Sequence, residues 1–541
     1  MGAEIPATLL TVVAVYFVST VYLLAVAALA ARSPRPDAAP EGLFFVLVVP
    51  ALNEELVIGN TVRHLLKLAG DNYLVLVIDD GSNDGTADVV RRFPPEKVRL
   101  ANRLRPFARQ GKGEALNYAY RAILTSELPA LYGVDHIILA VMDADGQVDP
   151  RMLEAVAPYF GDEHTGAVQI GVRMLNAKAN IWTRWQQYEF VTFNWIFSRA
   201  RESLGSVGLG GNGQFVRMSA LATLEGKPWT ECLTEDLDIG LRLMLGGWRN
   251  RYCHDVCVFQ QAVTEPKRLV RQRSRWFQGH LSCWKHIPAI ILSDWPSYRK
   301  ADVLNYLLAP GLVLPMGLFS LAILPLMFIP GLLPWAPSLD VFNPSNAVQW
   351  YILSMGAAPL FAFAMWRSKQ SGALASLAWA HVFLLGSYIW LIAGLMAVKR
   401  MITGKGGWLK TARTQIQGAD AAPPPQSSAA TGRWLAGQNE NTWNEETRVL
   451  LPLRANNFTP RAEGETKRPY LSAGPSGRAP RVSASVALAQ AEAHLHSLEQ
   501  TVQLAGTDWS AAVRSAQEAT TEPDVRPEAT NNNQEPRQLA S

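Results

Sequence analysis

A chain of 541 residues is long enough for several domains, and 48% hydrophobic residues with 17 tryptophans give it ample apolar material. A formal charge of only +4 lacks the electrostatic footprint of a nucleic-acid binder. Four cysteines, Cys232, Cys253, Cys257 and Cys283, form no disulfide-like framework and suit a reducing compartment.

In chain order, residues 8–31 come first, an apolar run long enough to cross a bilayer. Basic residues are missing before it, while Arg32 and Arg35 follow, so the positive-inside rule places the next segment in the cytoplasm. From Leu43 short β-branched runs alternate with helix-like stretches: LFFVLVVP, YLVLVIDD, KVRLAN, HIILAVMDAD and GAVQIGV, with Glu54–Leu68 and Gly113–Leu124 between them. That alternation predicts a largely parallel α/β sheet over residues 43–265, with ligands at the carboxyl ends of its strands. Cys253 and Cys257 bracket His254 and Asp255, but no second ligand pair follows, and buried strand cysteines explain them better than zinc.

The aromatic stretch 179–201 fits either a bilayer-interface helix or an ordinary packed one. Interfacial helices are expected over 266–300. Three apolar segments follow within 301–400, near 304–329, 347–366 and 374–398, the first carrying Pro310, Pro315 and Pro325 and therefore expected to kink. The loop 330–346 has no Lys or Arg and reads as external. Lys399, Arg400, Lys405, Lys410 and Arg413 read as cytoplasmic, so three full spans cannot all follow residue 300 unless one segment is re-entrant. Residues 401–418 form a basic interface segment, and the Pro/Ala/Gln/Asn-rich remainder, 419–541, reads as a disordered tail in which only 482–504 has a helical pattern.

The chemistry-bearing residues fall at the strand ends. Asp79 and Asp80 open DDGS after the second strand, where carboxylates can hydrogen-bond a base or ribose; the same letters are also ordinary turn chemistry. Asn53, Glu54 and Glu55 end the first strand, and Asn53 alternatively caps the next helix. Asp143 and Asp145, one residue apart, suit a hard divalent cation that also holds a diphosphate. Thr234-Glu235-Asp236 opens a helix, with Thr234 as its cap or a carboxylate as general base toward an acceptor hydroxyl. Lys112 lies at a glycine-flanked turn where phosphate can approach, and the glycines of GGNG, 210–213, permit close backbone contact. In RQRSRWFQGH, helical spacing puts Gln272, Arg275 and Trp276 on one face, able to hold a phosphate and stack a sugar ring.

The order NEE, DDGS, DAD, a glycine loop, TED and QRSRW, followed by apolar segments, resembles the membrane-embedded, processive family-2 inverting glycosyltransferases. These include synthases of cellulose, chitin, hyaluronan, mannan and poly-N-acetylglucosamine. The resemblance covers roughly residues 8–415 and implies an α/β GT-A cytoplasmic domain (nucleotide-diphospho-sugar transferase-like) plus an α-helical transmembrane region in the plasma membrane. It implies a UDP- or GDP-sugar donor held by Asn53, Glu55, Asp79, Asp80, Lys112, Asp143, Gln272, Arg273 and Arg275. Asp143 and Asp145 would bind Mg2+ or Mn2+. Asp236 would be the general base with Glu235 beside it, and Trp276, Gly211 and Asn212 would contact a glycan acceptor. Processive synthesis of a β-linked polysaccharide is the activity implied; the alternative is a single sugar transfer to a lipid acceptor. GGWLKTAR, 406–413, resembles the family's basic interface segment, whereas a cellulose-type gating loop and an appended regulatory domain have no counterpart.

Overall fold

The computed structural model describes residues 21–30, 36, 38–224, 227–327, 351, 355–369 and 371–404. The expectations for residues 8–20, the 330–346 loop, the 406–413 segment and the 419–541 tail lie outside these residues.

Eight strands form one sheet in the order β3-β2-β1-β4-β7-β6-β8-β5. They are β1 (Phe44–Ala51), β2 (Tyr73–Asp79), β3 (Val98–Asn102), β4 (Ile137–Val141), β5 (Gln147–Val148), β6 (Thr165–Met174), β7 (Gln214–Arg217) and β8 (Arg249–Gln260). The first four are mutually parallel, as the alternating pattern predicts, but β7 runs antiparallel to both β4 and β6, and β5 antiparallel to β8. The sheet is therefore mixed rather than largely parallel: β6 and β8 pair in parallel, and the reversals are confined to β7 and β5. Strand β7 escapes a reading by pattern because it spans four residues behind a glycine loop. Cys253 and Cys257 lie on β8, and the buried Cys253 thiol donates to the Ala155 carbonyl.

Strand β1 explains why the core forms. Its period-2 alternation sends Phe45, Leu47 and Val49 into one apolar cluster and Phe44, Val46 and Val48 into another, on opposite faces of the sheet. Burial on both sides is what a continuous apolar run such as FFVLVV requires. Since β2 flanks β1 on one side and β4 on the other, the chain reverses its winding there. In open α/β sheets that switch point is where the crevice for ligands opens, beyond the strands' carboxyl ends.

Helices pack around this sheet: α1 (Val21–Ala30), α2 (Ile58–Leu65), α3 (Lys112–Leu124), α4 (Ile181–Thr192), α5 (Arg199–Leu204), α6 (Glu235–Leu245), α7 (Pro266–Ser282), α8 (Ser297–Met327), α9 (Ala358–Arg367), α10 (Ala373–Gly386) and α11 (Tyr388–Ile402). Helix α8 is assigned continuously through Pro310, Pro315 and Pro325. Among the described residues two stretches, Ser297–Leu318 and Ala373–Ile402, are long and apolar enough to cross a membrane. Only 17% and 28% of their most apolar windows are buried by protein, so neither is a core helix of the sheet domain. Leu312, Met316, Leu374 and Ile392 are among the apolar side chains left exposed.

The aromatic stretch 179–201 resolves into α4, a π-turn over Phe193–Ser198, and α5. Asn180 starts it with a capping box, its side chain accepting from the Thr183 amide while the Thr183 hydroxyl accepts from the Asn180 amide. Of its two sequence readings, packing is what is observed: Trp185 and Tyr188 are buried, and Trp185 Nε1 donates to the Phe383 carbonyl of α10. This helix thereby joins the sheet domain to the apolar helices.

Candidate active site

The loops after β1 and β2 are tied together by backbone amides. Asn53 adopts φ +52°, and its amide donates to Ser82 Oγ (2.9 Å) while its Oδ1 accepts from the Asn83 amide (2.9 Å). Glu55 Oε2 accepts from the Gly85 amide at 3.0 Å, and Asp79 Oδ1 from the Ser82 amide at 2.9 Å. Asn53 is thus no helix cap. Helix α2 starts later, at Ile58, because residues 53–55 fold onto the DDGS loop. Asp80 forms a buried ion pair with Arg103 at 2.5 Å. Burial, with a smaller push from the neighbouring Asp79 charge, raises the Asp80 pKa, and Arg103 and the Arg109 amide only partly oppose the rise. Arg103 and Arg109, which donates to the Gly81 carbonyl, were not singled out by sequence reasoning; the basic cluster in NRLRPFARQGK was their visible signal.

Three sequence motifs converge between the carboxyl end of β4 and the start of α6. Lys112, first residue of α3, places Nζ 2.7 Å from Asp143 Oδ1. Desolvation works against its charge, but Asp143, Glu235 and Asp236 outweigh it and hold the ammonium above the ordinary lysine range. Asn212 Oδ1 accepts from the Asp143 amide at 3.1 Å, and Asn212 Nδ2 donates to Gln260 Oε1 at 2.9 Å, fixing the glycine loop against DAD. Asp145 Oδ2 accepts from the Gln261 amide at 3.1 Å. Gly211 has φ +76°, and a Cβ there would lie 2.9 Å from Asp236 Oδ2, so only glycine lets the loop close over this carboxylate. Burial and the adjacent Glu235 push Asp236 up to about 7, with Lys112 and Arg275 pulling the other way. A carboxylate poised near neutrality beside a fixed cation is the arrangement expected of a general base.

Helix α7 brings the third group. Gly279 lets it approach the TED segment closely, since a Cβ there would meet the Thr234 amide nitrogen at 2.7 Å. Arg275 consequently acts electrostatically on Asp236. Trp276 packs edge-on against Phe190 of α4 (centroids 6.1 Å apart) and beside Trp390 of α11 (6.5 Å). Gln272 and Arg273 bond to each other on this helix. Arg273 is fully buried, donating to Gln272 Oε1 at 2.7 Å and paired with Glu189 at 2.5 Å. Thr234 precedes α6 as expected, but its hydroxyl lies beside Cys232 and Cys283 rather than capping the helix.

Asp238, two residues past the TED aspartate, is a buried carboxylate that no motif marks. It accepts from Lys285 (2.7 Å), His286 (2.8 Å) and Thr230 (2.9 Å). Burial alone would raise its pKa, but these hydrogen bonds outweigh it and hold the group well below the carboxylate range.

Residues 40–279 match the family model described as glycosyltransferase-like family 2. The mixed sheet with its acidic switch point is GT-A-like. The chain is 36% identical over 297 residues to a β-monoglucosyldiacylglycerol synthase of Trichormus variabilis, covering 54% of this chain and 58% of that protein. It is 34% identical over 274 residues to the β-monoglucosyldiacylglycerol synthase of Synechocystis, covering 48% and 53%. The chain spans a little over half the length of these curated relatives. Among solved structures, a Pyrobaculum calidifontis mannosyltransferase in complex with GDP-mannose and Mn2+ aligns with 70% of this chain and 97% of its own, at 20% identity and a TM-score of 0.46.

Proposed function

We propose that this chain transfers a single sugar from a nucleotide-sugar donor to a hydroxyl of a membrane lipid, with inversion at the anomeric carbon. The observation that carries it is the position of Asp236. It stands between the Lys112–Asp143 pair and the α7 helix, whose Trp276 leans on Trp390 of an apolar helix. Donor charge and apolar acceptor thus meet at one carboxylate. The printed name of the curated relatives makes a diacylglycerol the first acceptor to test and a glucosyl donor the first sugar.

In the proposed reaction Asp236 takes the proton of the acceptor hydroxyl as that oxygen attacks the anomeric carbon. The bond from that carbon to the diphosphate breaks in the same displacement, and the new linkage has inverted configuration. Arg275 and Lys112 face the charge that develops on the leaving diphosphate. Asp143 and Asp145 supply hard oxygen donors on one turn, a donor set that fits Mg2+ or Mn2+; a cation bound there would add positive charge beside the diphosphate. The loops around Asn53, Glu55, Asp79 and Asp80 hold the nucleoside. The sheet domain sits at the cytoplasmic face of the cell membrane, where the positive-inside rule puts the basic residues flanking the apolar segments.

The second reading, processive polysaccharide synthesis, draws on the Q-x-x-R-W pattern of Gln272, Arg275 and Trp276. Purified full-length protein in bilayer nanodiscs, given labelled UDP- and GDP-sugars with diacylglycerol or an oligosaccharide, separates the two. One labelled sugar on the lipid is the expected product. A ladder of lengthening glycans would replace this reading with the processive one.

A further inference from the structure

We propose that Glu189 is a positioning residue for the acceptor side of this site, clamping Trp276 through Arg273 and anchoring both to helix α11. The inference rests on the transfer reaction proposed above. Glu189 lies on α4, far in sequence from every motif, and its two carboxylate oxygens serve two different elements. Oε2 pairs with Arg273 Nη2 of α7 at 2.5 Å, and Oε1 accepts from Trp390 Nε1 of α11 at 2.8 Å.

Arg273 transmits the constraint. Its guanidinium is completely buried and sits 4.0 Å over the Trp276 ring, with the Trp390 ring at 5.7 Å and Phe190 at 6.0 Å. A second guanidinium nitrogen donates to Gln272 Oε1 at 2.7 Å. A planar cation stacked on an indole fixes both the position and the tilt of the ring. A buried guanidinium holds that place only while its counter-charge is present, since an unpaired buried charge is strongly unfavourable. Glu189 supplies that charge, so Gln272 and Trp276 depend on a carboxylate that touches neither of them. The Trp390 bond adds the apolar helix to the same clamp. Movement of α11, the element nearest a lipid acceptor, is thereby felt at Trp276.

The predicted effect is on acceptor use, because the donor cradle of β1, β2 and β4 shares no hydrogen bond with this clamp. The test is a KM-against-kcat analysis of the full-length protein in nanodiscs, with nucleotide affinity measured separately by calorimetry using the donor's nucleoside diphosphate. Glu189→Gln should raise the acceptor KM about tenfold while donor KM and nucleotide affinity stay within about twofold, the size expected for losing one charged hydrogen bond. Trp390→Phe, which keeps the ring and removes only the N–H, should raise it about threefold. Parallel changes in both KM values, or a fall in kcat alone, would reduce Glu189 to a folding role and overturn the proposal. If Glu189→Gln yields no folded protein, an unchanged acceptor KM in Trp390→Phe overturns it equally. The acceptor used is whichever the wild-type protein glycosylates. Turnover on oligosaccharide alone would sink the lipid reading, and Glu189 would then be judged with that oligosaccharide.

Discussion

The donor side and the acceptor side proposed for the site are built by different means. On the donor side, side chains from one strand-end loop accept backbone amides of the next, Asn53 from Asn83 and Glu55 from Gly85, while Asp79 accepts from Ser82 within its own turn. On the acceptor side, side chain meets side chain across separate helices, as in Glu189 of α4 with Arg273 of α7 and Trp390 of α11. Amide-bonded loops hold their shape through the main chain, so one truncated side chain disturbs them locally. A clamp made of buried charges fails as a unit, because removing one partner strands the other in low dielectric.

That contrast can be broken or sharpened by substitution. The largest effect is expected at the point where the two sides meet. Asp236→Asn should lower kcat by about a thousandfold or more while leaving nucleotide affinity within a few fold, as removal of a general base does. Normal turnover of that variant would separate Asp236 from the chemistry. On the donor side, Asp143→Ala should weaken nucleotide-sugar binding by about tenfold or more and leave Lys112 without its closest counter-charge. Calorimetry with the donor nucleotide reads it, and unchanged affinity would remove Asp143 from the cradle.

Gly279→Ala tests the seam. Its Cβ meets the Thr234 main-chain nitrogen as well as that residue's short side chain, so α7 must shift away from TED. Overpacking of this kind costs about 1–3 kcal/mol, read as a lower midpoint of thermal unfolding together with reduced kcat. The pH dependence is finer still. Asp236 must be deprotonated to act, so activity should rise with pH through about 7. Glu235→Gln removes the like charge that raises Asp236, and its acid limb should therefore move to lower pH; a limb that stays put would detach that pKa from Asp236. The smallest effect is expected at Arg271. Its exposed side chain donates only to the Lys267 carbonyl one turn back, and Arg271→Gln should change kcat/KM by less than about twofold. Trp276→Ala should abolish transfer by contrast, and equal effects of the two substitutions would mean that RQRSRW acts only as a basic flank to the membrane.

Legibility in the sequence followed the range of the interactions. The strand-end acids stood out because a strand buried on both faces reads as an unbroken apolar run, and a carboxylate at its end is conspicuous. The bonds that Asn53 and Glu55 make to the DDGS loop span 29 to 30 residues, one strand–helix–strand step. Lys112 was visible as a glycine-flanked lysine, but its ion pair with Asp143 was not, since no local pattern says that a helix start and a strand end 31 residues apart will meet. Gln272 and Arg275 were legible from helical spacing, while the burial of Arg273 was invisible because its partner lies 84 residues upstream.

The sequence by itself determined the strands of the parallel half, the acids at their ends, the helix at TED and the apolar character of the segments after residue 300. These follow from periodicity and local backbone preference, which act over a few residues. Only the tertiary structure decided that the sheet is mixed, that Gly211 and Gly279 are points of closest approach, and that Arg103, Glu189 and Asp238 hold the charges around the site. Those depend on which surfaces meet once the sheet has closed. Burial there makes a charge costly until a specific partner, remote in the chain, is brought beside it.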